Sequence, residues 1–181
     1  MLEERRLLSS AINSAGWTIV TPPATARIVY VSSSTGNDAD SGLSAAAPVR
    51  SLERGESLLR NGSADEMLLK RGDTWADTLG VWRLSGQSAA NPMVIGAYGS
   101  GARPELNTGD SPGLILGVGG TPTVNYLDVI GINFHADQRD LASPTYNAAA
   151  SGQSPIGIYV VSQTNGLLIE DCQVQEPVNE F

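Results

Sequence analysis

Two segments of the chain share one pattern of apolar and polar positions. Residues 125–134 read NYLDVIGINF, and residues 165–174 read NGLLIEDCQV. In both, apolar residues stand at the third, fifth, eighth and tenth places, which is a two-residue alternation broken by one extra step. Because successive side chains of a strand point to opposite faces, the extra step predicts a bend between two short strands. A repeated strand–bend–strand unit predicts one coil of a solenoid, which buries its inner face against neighbouring coils.

Two earlier segments fit the same frame over fewer places. Their matching apolar residues are Met67 and Leu69 in the segment from residue 65, and Met93, Ile95 and Tyr98 in the segment from residue 91. The four frames begin at residues 65, 91, 125 and 165, so the interval between them grows along the chain. This growth predicts that loops of increasing size are inserted between the strands.

The frame also assigns side chains to the two faces of the predicted coils. Ile169 and Cys172 are expected to point inward, and Cys172 then serves as a small apolar residue of the core. Glu170 is expected to point outward with Ile130 above it, whereas Asp171 falls at the bend. At a bend, the carboxylate of Asp171 can accept hydrogen bonds from backbone N–H groups instead of taking part in catalysis.

The N-terminal third has a different organisation. Residues 1–26 are predicted to be an extension of uncertain structure, in which residues 1–16 form either a short amphipathic helix or no regular structure. Residues 27–31 are rich in β-branched side chains and predict a strand. After Pro48 the apolar period becomes helical and ends at Asn61-Gly62. The residues on one face of this predicted helix are Val49, Leu52, Glu56 and Leu59. Such a helix suits a cap over the open end of the first coil.

Composition narrows the class of protein. The 181 residues include 20 glycines and 10 prolines spread between apolar runs, which is typical of one β-rich domain with many turns. The formal net charge of −8 and the lack of a large basic cluster argue against nucleic-acid binding. No apolar run is long enough to span a membrane. The N-terminus lacks the uninterrupted apolar stretch of a secretory signal, so either the protein is not exported by that route or the natural start differs.

Several motifs carry a resemblance to a known family. They are Tyr30-Val31-Ser32, Gly36-Asn37-Asp38, Ser41-Gly42, Ala47-Pro48 and Ser51-Leu52, followed by residues 68–75 and 91–104. From about residue 27 onward the chain resembles the N-terminal cap and first coils of the right-handed parallel β-helix proteins of the pectate-lyase-like group. The resemblance implies an all-β protein, a right-handed parallel β-helix over residues 27–181 with a short N-terminal capping helix.

The resemblance also carries expectations about completeness and function. Because family members continue through more coils, we expect the chain to be C-terminally incomplete after residues 176–181, with the catalytic coils outside it. An uncapped last coil predicts self-association. The resemblance implies a lyase or hydrolase that cleaves an acidic or plant- or algal-type polysaccharide at the cell surface or outside the cell. The alternative is a non-catalytic β-solenoid, such as an adhesin or a phage tail-spike-like module that binds glycans.

The long connection between the two best coils is the first candidate for chemistry. It runs from His135 to Pro155, and loops of this length are often functional. As the wall of a sugar-binding groove it would offer Asp137, Arg139 and Tyr146 to a polysaccharide. The candidates for catalysis are His135, Glu170 and Asp171, each of which also has a structural explanation as a strand-end, outward or bend residue. His135 is the single histidine, so a histidine-based metal cluster is excluded.

Asp38 and Asp40 form the one candidate metal site. They stand two residues apart in a glycine-flanked turn, as at the start of a calcium loop, but the remaining ligands of an EF-hand are missing. Asx residues that stabilise a turn explain the same pattern. Ca²⁺ is therefore the only cofactor for which the sequence offers a candidate, and no other is predicted.

Overall fold

The computed structural model describes residues 10–117, 123–149, 156–161 and 163–175. Fourteen strands, one α-helix and one 3₁₀ helix make up its regular structure. The strands are Ser10–Ile12 (β1), Thr18–Val20 (β2), Ile28–Val31 (β3), Glu66–Lys70 (β4), Thr74–Trp75 (β5), Gly80–Trp82 (β6), Met93–Tyr98 (β7), Glu105–Asn107 (β8), Leu114–Leu116 (β9), Leu127–Ile130 (β10), Asn133–His135 (β11), Ile158–Val160 (β12), Leu168–Glu170 (β13) and Gln173–Gln175 (β14). The helices are Leu52–Ser57 (α1) and the 3₁₀ turn Asp137–Arg139.

Three parallel sheets contain all strands from β3 onward. Sheet 1 has the order β13-β10-β7-β4-β3, sheet 2 the order β14-β11-β8-β5, and sheet 3 the order β12-β9-β6. From β4 onward each successive strand joins the next sheet in rotation, and each circuit adds one parallel strand to the same side of each sheet. The expectation of an all-β, parallel-stranded protein is confirmed.

The strand register confirms the alignment of the two best repeats. On sheet 1 Val129 lies opposite Ile169, and on sheet 2 Phe134 lies opposite Val174. The bend between the two strands of each repeat falls at Gly131 and at Asp171, and both residues have positive φ, at 76° and 51°. The extra step in the alternation is therefore a left-handed residue that turns the chain from sheet 1 into sheet 2.

Apart from Tyr98, the two earlier frames predict correctly which side chains point inward, but one of them has a different strand register from the one predicted. Met93 lies opposite Leu127 as predicted. Met67, however, lies opposite Ile95 and not Met93, so the frame from residue 65 is displaced by two residues. The shift leaves the inward assignment intact, because the side-chain period of a strand is two.

Tyr98 does not point inward as its eighth place in the frame predicts. It ends β7 on the side away from the core, and its ring packs edge-on against Tyr30 with centroids 5.0 Å apart. The frame fails here because residues 99–104 lengthen the corner before β8.

The inward residues of the three sheets form one apolar core. A continuous column on sheet 1 consists of Val29, Met67, Ile95 and Val129, all fully buried. Sheets 2 and 3 add further fully buried side chains, namely Leu106, Phe134, Trp82, Leu114 and Leu116. Trp82 is part of this core, and its indole N–H donates to the Leu84 carbonyl oxygen at 2.9 Å.

Helix α1 is present but shorter than predicted. It begins after Ser51, whose hydroxyl oxygen accepts the Arg54 N–H at 3.2 Å and caps the first turn. Gly55 faces β3 so closely that a Cβ there would lie 2.7 Å from Val31 Cγ2. The buried face of α1 thus covers one end of the sheet 1 column. The predicted face residue Glu56 is half-buried, and this burial raises the pKa of its carboxyl group.

The described part of the N-terminal extension forms a β-hairpin. The short helix considered for residues 1–16 is therefore not formed over residues 10–16. β1 and β2 pair antiparallel, and the Asn13 side chain accepts the N–H groups of Ala15 and Trp17 in the turn. An Asx-stabilised turn competes successfully with a poorly patterned helix. Residues 1–9 lie outside the described part of the chain. Within the described residues no helix is long and apolar enough to cross a membrane.

Candidate functional site

The side of sheet 2 that faces away from the core is polar throughout. Two rows of aligned side chains occupy it, Thr74, Glu105, Asn133 and Gln173 in the first, and Asn107, His135 and Gln175 in the second. We call these seven residues the polar face. The same strands send apolar Leu106 and Phe134 into the core. Strict alternation therefore separates a buried apolar side from a surface rich in amide, carboxyl and imidazole groups.

Two carboxyl groups of this surface contact one imidazole. Glu105 Oε1 lies 3.7 Å from His135 Nδ1, and Asp140 Oδ2 lies 3.1 Å from His135 Nε2. Asn133 Nδ2 donates to Glu105 Oε2 at 2.8 Å, and the Ala142 N–H donates to Asp140 Oδ1 at 2.9 Å. Three of these groups come from neighbouring strands, and the fourth comes from the loop after the 3₁₀ turn. The arrangement fixes the positions of both carboxyl groups.

The exposure of these groups shows a layered arrangement. The side chains of Glu105 and Asp140 are 32% and 28% exposed, whereas that of His135 is only 14% exposed. Asn133 is almost completely buried, at 6%. The two acids therefore reach solvent, and the imidazole and the amide support them from below.

Unpartnered polar atoms concentrate at this place. Among the described residues, five buried side-chain nitrogen or oxygen atoms have no hydrogen-bond partner, and four of them belong to the polar face or to its loop. These four are Asn107 Oδ1, Asn133 Oδ1, His135 Nδ1 and Arg139 Nε. Buried polar atoms in native proteins nearly always have a partner, which can be water or a ligand. The polar face and its loop therefore hold most of the described buried polar atoms that lack a partner within the protein.

The loop over residues 136–149 forms one wall beside the polar face. Asp137 is buried, and its Oδ1 accepts the Gly109 N–H at 2.8 Å while its Oδ2 accepts the Thr145 hydroxyl. The Asn147 N–H donates to the Gln138 carbonyl oxygen at 2.8 Å. The carboxyl group of Asp137 thus fastens the loop to the turn after β8. The last part of the predicted loop, residues 150–155, lies outside the described residues.

The other predicted loop residues lie in the same wall. Arg139 is half-buried in the 3₁₀ turn, and its Nε is one of the four unpartnered atoms. Tyr146 is half-buried, and its backbone N–H donates to the Ser143 carbonyl oxygen at 3.1 Å. Arg139 and Tyr146 lie in the same segment as His135, and their contact with a sugar stays a prediction.

Glu170 and Asp171 lie elsewhere and have other contacts. Glu170 Oε2 accepts the Thr18 N–H at 2.8 Å, which ties the N-terminal hairpin to sheet 1. Asp171 pairs with Arg103 through its side chain, and its carbonyl oxygen accepts Arg103 Nε–H at 2.6 Å. Both contacts explain the two acids structurally. Their catalytic role stays a prediction.

The candidate calcium ligands also have structural partners. Asp38 Oδ1 accepts the N–H groups of Arg50 at 2.7 Å and of Ser51 at 2.9 Å. Desolvation opposes the charge of this carboxyl group, but the backbone bonds from Ser51 and Arg50 prevail and lower its pKa. The Asp40 N–H donates to the Asn37 carbonyl oxygen at 2.9 Å within the turn. In the described part of the chain no group of three or more His, Cys, Asp or Glu side chains could hold a metal ion, and calcium at Asp38 and Asp40 stays a prediction.

Sequence reasoning missed Glu105, Asn107 and Asn133. The signal for them is a polar–apolar–polar triplet that recurs at residues 105–107, 133–135 and 173–175. The frame from residue 91 stops before the first triplet, because the corner at 99–104 delays β8. Extending the alternation past each corner would have aligned all three triplets and shown the polar face.

No family model matches the chain, and no curated protein is significantly similar to it. Two crystal structures of the GH136 lacto-N-biosidase from Eubacterium ramulus are similar in fold. The selenomethionine derivative matches with a TM-score of 0.56 and 21% identity over 79% of this chain and 27% of that enzyme. The native protein matches with a TM-score of 0.53 and 19% identity, over 78% of this chain and 26% of that enzyme. The chain thus spans about a quarter of the enzyme's length, and the likeness is one of fold.

The comparison corrects the resemblance to the pectate-lyase-like group, which is not supported. The fold likeness is to GH136 lacto-N-biosidase, and no family model matches. The motifs that suggested the pectate-lyase-like group have local roles. Asn37 Oδ1 accepts the Ala39 N–H, and Asp38 accepts the N–H groups before α1. Such turn and cap chemistry serves any fold that needs a turn before a helix, so it does not identify a family.

Proposed function

We propose that the chain is part of a carbohydrate-active protein that binds a glycan along the polar face. The observation that carries this proposal is the alignment of polar side chains in two rows on the outer side of sheet 2, beside the partly exposed acids Glu105 and Asp140. Sugar hydroxyl groups both donate and accept hydrogen bonds, so one glycan can pair with amide and carboxyl side chains of both rows together. Neighbouring strands repeat these groups about every 4.8 Å, which suits a chain of similar units.

We propose that the fold carrying this surface is a right-handed parallel β-helix. The rotation of successive strands through three sheets supports it, as does the strong preference of parallel crossovers for the right hand. In such a solenoid the polar face is an outer surface, and the loop over 136–149 forms a wall beside it. The fold likeness to GH136 lacto-N-biosidase, an enzyme whose name states action on a carbohydrate, supports a carbohydrate ligand.

Charge favours a neutral glycan over the acidic polysaccharide predicted from the sequence. Glu105 and Asp140 both reach solvent at the polar face. The formal charge of the whole chain is −8. A sugar carboxylate brought to this surface would meet the Asp140 carboxylate and the negative net charge of the chain, which disfavours its binding.

Binding can be tested with four glycans of known charge. Isothermal titration of the 181-residue chain with lacto-N-tetraose, xylan, polygalacturonate and alginate, with and without Ca²⁺, should show binding of a neutral member of the panel. Gln173→Ala on the polar face should weaken that binding several-fold, whereas Gln163→Ala should not. Both residues are exposed glutamines, but only Gln173 belongs to the polar face. Absence of binding to every glycan, or equal binding by the two variants, would overturn the proposal.

A second candidate function is a non-catalytic β-solenoid module that binds glycans without cleaving them. The observation that favours it is that Glu170 and Asp171, the acids first considered for catalysis, hold the hairpin and the bend together. Both candidate functions use the polar face to bind a glycan. They differ in that the non-catalytic module releases no cleavage product. Incubation with the bound glycan, followed by a reducing-end assay, separates the two.

A further inference from the structure

We infer that Glu105 and Asp140 are an acid–base pair that hydrolyses a glycosidic bond lying across the polar face. The inference rests on the proposed function, because it needs a glycan at this surface. It differs from the expectation that the catalytic residues lie outside the chain. The substrate class is a neutral oligosaccharide or polysaccharide whose glycosidic bond both acids can reach.

The geometry supports a pair of carboxyl groups that act on one bond. The contacts of Glu105 and Asp140 with opposite nitrogens of His135 limit the distance between the contacting oxygens to about 9 Å, while inverting glycosidases have carboxyl groups roughly 6.5–9.5 Å apart. Both groups are partly exposed, so a sugar and a water molecule can reach them. A separation within that range is the one that leaves room for the water between base and sugar.

The hydrogen bonds distinguish the roles of the two acids. Both oxygens of Asp140 accept hydrogen bonds, from His135 and from the Ala142 N–H. These donors stabilise a carboxylate, and each oxygen keeps a second lone pair that can take a proton from water, which suits a general base. Glu105 has one described donor, Asn133 Nδ2, on Oε2. Its other oxygen, Oε1, accepts no described hydrogen bond, so we assign Glu105 as the general acid.

The reaction then balances with water as the only co-reactant. Asp140 takes a proton from a water molecule as the water oxygen forms a bond to the anomeric carbon. The bond from that carbon to the glycosidic oxygen breaks, and Glu105 gives its proton to this oxygen. The two products together contain the added water, and the sugar configuration is inverted. Proton exchange with solvent returns both acids to their starting forms.

His135 acts as a positioning residue in this scheme. It contacts both acids and is largely shielded from solvent, so it orients them without needing to touch the sugar. Its replacement by Asn should change the pH–rate profile, since each acid loses a neighbour, and should lower kcat with little change in KM. A merely structural histidine would affect stability without changing the pH–rate profile.

The test uses the 181-residue chain and the same four glycans. Proton NMR of the freshly released sugar should show an inverted anomer from the glycan that binds. Glu105→Gln and Asp140→Asn should each lower the rate by about 100-fold or more, while the glycan still binds to both variants. Asp110→Asn is the matched control, because Asp110 is an exposed acid beyond the end of β8 and outside the polar face. Glu105→Asp provides a second variant if Glu105→Gln does not fold.

The outcomes separate this inference from the proposed function. Binding without product, product of retained configuration, or full activity in both variants would overturn the acid–base pair and leave glycan binding in place. Absence of binding to all four glycans would overturn both. Inversion together with loss of activity in both variants, but not in Asp110→Asn, would support the pair.

Discussion

Val129 and Ile169 lie opposite each other on adjacent parallel strands of sheet 1, yet they differ sharply in exposure. Val129 is fully buried and Ile169 is 43% exposed. Val129 has a paired strand on each side, whereas Ile169 lies on β13, the edge strand of sheet 1 in the described part of the chain. The same column position is therefore expected to contribute differently to the free energy of unfolding in the two repeats.

This difference predicts unequal effects of one substitution at two aligned positions. Val129→Asp should destabilise the fold by about 3 kcal/mol or more, because it buries a carboxyl group without a partner. Ile169→Asp should cost much less, since solvent reaches that side chain. Urea denaturation of both variants measures the free energy of unfolding. Equal losses would show that the edge position is as buried as the interior one.

The exposed inward side chains at this edge predict self-association. Among the described residues, Val160, Ile169 and Val174 are the last of their columns in sheets 3, 1 and 2, and each is more than two-fifths exposed. Unpaired strand edges with apolar side chains invite pairing with another chain. Light scattering after size exclusion should show dimers or larger species. Val174→Lys should shift the chain toward monomer, whereas Leu141→Lys, at an exposed residue of the loop over 136–149 and outside the strands, should not. A monomer at all concentrations would contradict the prediction.

The bend at Gly131 predicts a cost for any side chain there. Its φ is 76°, a conformation that costs L-residues about 1–2 kcal/mol, and a Cβ would lie 3.4 Å from Arg71 Nη2. Gly131→Ala should therefore lower the free energy of unfolding by about 1–2 kcal/mol. Asp171→Gly at the equivalent bend relieves the same conformation but removes the ion pair with Arg103, so its net effect should be small. Thermal denaturation of the two variants checks the contrast, and a neutral Gly131→Ala would refute it.

Glu66 predicts a loss of stability between mildly acidic and neutral pH. Burial raises the pKa of its carboxyl group from 4.5 to about 7. The folded chain then binds this proton more tightly than the unfolded chain. Stability is complete below about pH 4.5 and falls as pH rises to about 7, by up to about 3 kcal/mol. Glu66→Gln should remove this loss, so the variant should be more stable than the parent at pH 8.

Denaturant midpoints at pH 5, 6, 7 and 8 for the parent and for Glu66→Gln measure the effect. Asp65 and Asp73 have lowered pKa values. Desolvation opposes both shifts, but hydrogen bonds led by the Arg60 side chain and by the Ser32 hydroxyl prevail. Their contribution is lost only as pH falls below about 4, outside this window. Parallel pH profiles for parent and variant would contradict the assignment to Glu66.

Alternation within single strands was sufficient to predict much of the fold. The column through Val129, the bend at Gly131 and the helical face through Leu52 were all readable, because each depends on backbone geometry over a few residues. The loop after His135 was recognisable by its length. The register of Met67 and the direction of Tyr98 were not, since both depend on the number of residues in a corner.

The candidate site shows the same limit more strongly. The alternation places Glu105 and His135 on the outer side of their strands, but they meet only because one circuit of the chain brings β11 beside β8. Asp140 joins them because Asp137 fastens its loop to the turn after β8. Local pattern decides which way a side chain points, since that depends on the backbone of its own strand. The lengths of the corners decide which side chains become neighbours and which inward positions are covered. These lengths act together along the chain, so their result is visible only in the folded protein.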